Sequence, residues 1–141
     1  MTSRFLGGVV LPGELVSVPL ARAFVRAALR LRELAGDEGD EYVVLLVVSE
    51  LVTNSVRHSN SGRRRGGLVT VKLRAKGPVL RLAVVDEGTL DSAPQIRRVD
   101  ADSDGGRGLE LIEEMALKWG SYEITAGRVV WADLALNICV A

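Results

Sequence analysis

The sequence has one cysteine, Cys139, and one histidine, His58. A lone thiol cannot close an internal disulfide, and one His with one Cys cannot build a typical zinc site. Net charge is also missing, because 18 Lys+Arg balance 18 Asp+Glu. That balance argues against a protein whose main work is neutralising nucleic-acid phosphates, so no direct nucleic-acid partner is expected. Long apolar runs are absent: the longest, Tyr42 to Val48, falls far short of the roughly 20 residues that span a bilayer. The first residues show no basic flank, apolar stretch and small-residue cleavage site, so the expected location is cytoplasmic, with no membrane partner. No period of roughly 20–50 residues repeats, which excludes a solenoid. What is present is 141 residues, 48% hydrophobic and 26% charged, the make-up of one globular domain with a real core.

Residues 1–13 contain glycine, lack a period and read as a flexible N-terminal segment, with Pro12-Gly13 marking a turn. Glu14 to Val18 alternates as a short edge strand would, ended by Pro19. From Pro19 to Leu34, Leu20, Phe24, Ala27, Ala28, Leu31 and Leu34 follow helical spacing, and Gly36 suits the helix end. A second helix is expected from about Asp40 to His58. Ser59 to Gly67 is a loop by composition, and its Arg63-Arg64-Arg65 reads as solvated charge. Two strands follow, Leu68–Ala75 and Val79–Asp86, joined at Lys76-Gly77-Pro78. Glu87 to Gly106 is a long acidic segment with the character of a functional lid. A helix is expected from about Gly108 to Trp119, then a hairpin of Ser121–Thr125 and Val129–Leu136. Trp119 and Trp131 read as core, and Cys139 as a small packed hydrophobe. The order predicts an α+β two-layer sandwich, with helices on one face of a mostly antiparallel sheet.

Three groups of residues could carry chemistry. Glu50, Asn54 and His58 are four apart, each offset by about 40° from the last on a helix. They make one polar stripe on a helix whose preceding turns are almost wholly apolar, a costly arrangement unless the stripe is paired or lines a cavity. A Glu can take a proton from a hydroxyl or water, and an Asn oxygen suits one position on a hydrated magnesium ion. The plainer alternative is an exposed polar face. Next, Val84-Val85-Asp86-Glu87-Gly88 ends a strand in an acid and then a glycine. Asp86 could accept from an exocyclic amine while Gly88 lets backbone approach a planar ring; an ordinary acidic turn looks the same. Last, Asp104-Gly105-Gly106-Arg107-Gly108-Leu109 opens a helix, where main-chain N–H groups can point at an anion. It is neither a Walker P-loop nor a strand-first dinucleotide fingerprint. A hinge into a helix is the alternative there.

In this order and spacing, Glu50-x-x-x-Asn54, Asp86-x-Gly88, a lid and Gly106-x-Gly108 resemble the GHKL (Bergerat-fold) ATPase domain. Within it, the chain is similar to the small bacterial anti-sigma-factor serine/threonine kinases of the RsbW type. The resemblance runs from Glu14 to Leu136 and takes in Ser49–His58, Gly105–Leu111, Lys118-Trp119-Gly120 and Val130-Trp131-Ala132-Asp133-Leu134. Arg outnumbers Lys fifteen to three, a bias of GC-rich bacterial genomes. The resemblance implies ATP and Mg2+ as cofactors. By it, Glu50 is the acid that activates the attacking hydroxyl, Asn54 the magnesium ligand and Asp86 the acceptor for the adenine amine, with Gly88 beneath the base. Gly106 and Gly108 match the glycines that close on the phosphates, and Arg107 and Leu109 belong to the same nucleotide-binding segment. Implied partners are a sigma factor, a STAS-domain anti-sigma-factor antagonist that is phosphorylated, and a second copy in a homodimer. One position departs from the pattern: Leu90 stands where the family's Asp-x-Gly-x-Gly box has its second glycine. Two alternatives stay open, a non-catalytic nucleotide-gated module that sequesters a partner, and a histidine-kinase catalytic domain. The second is disfavoured, because no phosphoacceptor-helix domain is expected in the sequence and the sole His58 sits inside the candidate site.

Overall fold

The structure is a computed structural model that describes residues 3–34, 38–88 and 106–136. In chain order the elements are β1 (Arg4–Pro12), α1 (Ser17–Leu31), α2 (Glu38–His58), α3 (Asn60–Arg63), β2 (Leu68–Lys76), β3 (Val79–Asp86), α4 (Gly106–Met115), β4 (Lys118–Ile124) and β5 (Gly127–Ala135). The five strands form one sheet in the order β1-β2-β3-β5-β4, and every neighbouring pair is antiparallel. The helices lie against one face of that sheet, as the α+β sandwich predicts. No helix among the described residues is long and apolar enough to cross a membrane.

Strand alternation decides which side chains meet the helices. On β2, β3 and β5 the inward rows are Val69, Val71 and Leu73; Leu80, Leu82 and Val84; and Val130, Ala132 and Leu134, all buried. α2 lies across them, and Val44, Val47, Val48, Leu51 and Val52 are fully buried because sheet, α1 and α4 close on different sides of it. That explains a helix apolar almost all round. α1 buries Ser17, Ala21, Val25 and Leu29, and its Arg26 and Arg30 both reach Glu41 of α2. The expected stripe was rotated from this one, and Leu31 stands 85% exposed.

The N-terminal expectation needs correction. Residues 4–12 are not a flexible segment but β1, paired to β2 from Arg4↔Ala75 to Pro12↔Leu68. The register shifts between Phe5 and Gly7, and this bulge breaks the alternation that would have announced a strand. Phe24 of α1 packs over Gly7, where a Cβ would sit 3.4 Å from the ring. Residues 14–18 are turn and helix start rather than a strand: Ser17 is buried and its hydroxyl donates to the Pro12 carbonyl. Pro19 falls in the first turn, where its missing N–H costs nothing.

At the other end, α4 stops at Met115 and β4 already begins at Lys118. The Leu117 N–H donates to the Asp133 carbonyl at 2.8 Å, so β5 captures the chain two residues before the expected helix end. Trp119 packs at the core edge. Trp131 does not: with Val130 and Ala132 inward it stands on the sheet face opposite the described helices, under the Arg81 guanidinium at 4.0 Å from the ring centre. Asp133 fixes that guanidinium in a two-pronged pair, with Nε–Oδ1 2.6 Å and Nη2–Oδ2 2.9 Å. Gly36 and Cys139 lie outside the described residues.

Candidate functional site

The site is built where the C-terminal half of α2 meets the ends of β3 and β5. β3 carries Asp86 inward, in line with Leu80, Leu82 and Val84, so the strand's own alternation buries an acid, 4% exposed, at its last residue. Its Oδ1 accepts from the Gly88 N–H at 2.7 Å, a tight turn that Gly88 closes with φ +66°. The α2 hydroxyl of Ser55 is enclosed beside this carboxyl. It is near enough to favour the ionised form, yet it makes no settled hydrogen bond with a described residue.

Burial, above all, raises the Asp86 pKa. The Gly88 N–H, the Ser55 hydroxyl and the Arg128 charge lower it, and Glu87 raises it. Arg128 is Asp86's register partner across the β3–β5 ladder and is equally buried, at 4%. Beside it, Gly127 leaves no room for a side chain: a Cβ there would collide with the Asp86 carbonyl oxygen.

The turn that bears Gly88 is tied down from α3. The Asn60 N–H donates to the Gly88 carbonyl at 2.8 Å. The Glu87 N–H donates to Ser61 Oγ at 2.9 Å, and Ser61 Oγ donates to the Leu68 carbonyl at 2.7 Å. Glu87 Oε2 accepts from the Leu68 N–H at 2.9 Å, while Oε1 accepts from Arg64 Nε at 2.8 Å. The Leu68 N–H is the main cause, with Arg64 adding to it, of a Glu87 pKa below the ordinary value. Ser59 starts α3 by accepting from the Ser61 N–H at 3.1 Å. The loop thus contains a structural latch, and Arg64 takes part in it while remaining exposed, as expected of the arginine run.

Glu50 and Asn54 are half-buried on α2, one turn apart, and His58 is exposed at its end. Gly106, Arg107, Gly108 and Leu109 form the first turn of α4, which packs on α2. The glycine run therefore does open a helix, two residues earlier than expected. Residues 89–105 of the expected lid, Leu90 among them, lie outside the described residues. The structure brings Asp86 and Gly88 together with the α2 end. Three contributors escaped the sequence reading. Arg128 sits in phase with Val130, Ala132 and Leu134, a periodicity that marks it as inward once β5 is started at Gly127. Glu87 and Ser61 gave no sequence signal, because their partnership spans 26 positions.

No group of three or more His, Cys, Asp or Glu side chains among the described residues could hold a metal. A magnesium ion bound mainly by phosphates and water would need only one or two protein ligands.

Comparison with known proteins agrees with this fold. The RsbU and RsbW domains of Rv1364c from Mycobacterium tuberculosis superpose with a TM-score of 0.62 at 19% identity, covering 96% of this chain and 32% of that one. The chain thus spans about a third of that protein's crystallised length. No curated protein matches. Residues 11–133 match the histidine kinase-like ATPase domain family. That stretch is most of the sequence and includes α2, the Asp86 turn and the start of α4, so the chain belongs to the histidine kinase-like ATPase domain family.

Proposed function

We propose that the chain binds ATP with Mg2+ at the α2–β3–β5 end of the sandwich and is an anti-sigma factor with serine/threonine kinase activity. The family is one of ATPase domains, so ATP is the nucleotide it implies. The observation that carries the reading is the Asp86–Gly88 turn: a buried acceptor, latched in place from α3, beside the enclosed Ser55 hydroxyl. Asp86 accepts the exocyclic amine of adenine, and Gly88 lies beneath the ring. The orphaned Ser55 Oγ supports this fit, since it offers a polar contact that no described residue takes up.

Asn54 contributes one oxygen to magnesium, which when bound neutralises phosphate charge. Glu50, one turn earlier, takes the proton of an attacking serine or threonine hydroxyl. The first turn of α4, Gly106 to Leu109, directs backbone N–H groups toward the phosphates. These parts suffice for phosphoryl transfer, which needs positioning and charge neutralisation more than covalent chemistry. The likeness to a structure containing an RsbW domain supports the finer reading. In it, a homodimer holds a sigma factor and phosphorylates a STAS-type antagonist in the cytoplasm. The added charge of about −1.5 to −2 then breaks the antagonist complex.

The test is Glu50→Gln in two assays. Affinity for MgATP should stay at the wild-type level, while phosphate transfer to a STAS-domain antagonist should fall by about 10²–10⁴-fold. Transfer at the wild-type rate would remove Glu50 from the mechanism. Absence of transfer by the wild type to any antagonist would leave a nucleotide-gated module that sequesters its partner.

A further inference from the structure

We propose that Arg128 is a positioning residue of the nucleotide site, the counter-ion that holds the buried Asp86 carboxyl ionised and able to accept a hydrogen bond. The inference rests on the reading of Asp86 as the acceptor for the base amine. Asp86 and Arg128 face each other across the β3–β5 ladder on the helix-covered side, both 4% exposed. An acid and a base so deeply buried stay charged only with compensation close by. Among the described residues the surroundings offer little else. β2 presents Val69, Val71 and Leu73 to this side, and α2 contributes the neutral Ser55 hydroxyl. Glu87, in the same turn, opposes ionisation, and Glu123 of β4, opposite Arg128, is exposed. Among the described residues, Arg128 is thus the one cation acting on Asp86 against burial; the other groups that favour its ionised form, the Gly88 N–H and the nearby Ser55 hydroxyl, are neutral.

The consequence is chemical. A carboxylate accepts from an exocyclic amine, whereas a protonated carboxyl turns an O–H toward it and loses an acceptor site. Together with the Gly88 N–H and the Ser55 hydroxyl, Arg128 therefore extends to lower pH the range over which the site recognises its base, without touching the nucleotide itself. Gly127 makes this possible, since only a glycine lets β5 approach Asp86 closely enough to bring Arg128 opposite it.

Asp86 is titrated directly by carboxyl carbon NMR in the nucleotide-free protein, as wild type, Arg128→Lys and Arg128→Met. The wild type should hold Asp86 ionised at pH 7, Arg128→Met should raise its pKa by about one unit or more, and Arg128→Lys should restore it. In parallel calorimetry, ATP affinity of Arg128→Met should fall about tenfold per pH unit below that raised value, while the wild type stays flat over the same range. Equal Asp86 titration in wild type and Arg128→Met overturns the proposal. If Arg128→Met does not fold, Arg128→Gln carries the same comparison. A wild-type Asp86 that is protonated at pH 7 overturns the proposal without any variant. Unchanged ATP affinity in Asp86→Asn would refute the base-acceptor reading alone and leave the titration result standing.

Discussion

Replacing Gly127 by alanine adds one methyl group at the narrowest point of the site. Its Cβ would collide with the Asp86 carbonyl oxygen and lie 2.9 Å from the Asp86 carbonyl carbon and the Glu87 Cα. All three atoms are backbone, so no side chain can swing aside. The residue also holds φ +156°, a conformation that costs a non-glycine residue about 1–3 kcal/mol. Separating β5 from β3 to relieve the clash adds a further cost of about 1–3 kcal/mol, typical of overpacking. The sum is about 4 kcal/mol. Gly66→Ala is the matched control: φ is +75° there, but nothing lies within 4 Å of the new methyl. That substitution should cost only the strain, about 1–2 kcal/mol. Urea denaturation of both variants measures the difference, and ATP titration should find binding lost in Gly127→Ala and kept in Gly66→Ala. Equal destabilisation of the two would refute the close approach of β5 to the Asp86 turn.

Leu82→Ala empties a fully buried position at the centre of the sheet and should cost about 2–5 kcal/mol in the same denaturation assay; a loss below 1 kcal/mol would show a looser core, as surface changes usually do. Acid stability follows from opposed shifts. Glu87 and Glu41 have pKa values below their ordinary 4.5, so their stabilisation is present above pH 4.5 and lost as pH falls through the depressed values. Asp86 is raised from 3.8, so its contribution is present below that pH and lost as pH rises through the raised value. Glu87→Gln should therefore flatten the fall in urea midpoint below pH 4.5, and Asp86→Asn should steepen it. A Glu87→Gln curve parallel to wild type would remove the latch from the account.

The parts of the fold written in local pattern were legible. The β2–β3 hairpin announced itself by two alternating runs around Lys76-Gly77-Pro78, and α2 by length and apolarity. β1 was hidden because its bulge at Phe5/Gly7 breaks the period, and because an edge strand gains its identity from β2, some 60 residues away. The inward stripe of α1 was misplaced because it carries apolar residues on more than one face, and contact with α2 selects Ala21, Val25 and Leu29. Within the site, Asp86 and Gly88 were readable from a strand ending in acid and glycine. Glu87, Ser61 and Arg64 were not, because their latch is a product of chain folding rather than spacing. Arg128 was readable in principle from the phase of β5, but only with the turn placed at Thr125–Ala126 instead of one to two residues later.

The most direct test of a nucleotide site at the α2–β3–β5 end is a calorimetric titration of the full chain. MgATP, and ATP in excess chelator, are titrated into wild type, Asn54→Ala and Asp86→Asn. The account predicts magnesium-dependent binding by the wild type, loss of the magnesium dependence in Asn54→Ala, and an affinity lowered about 10–100-fold in Asp86→Asn, the worth of a hydrogen bond to a charged acceptor. No heat at millimolar nucleotide, or wild-type affinity in both variants, would contradict it.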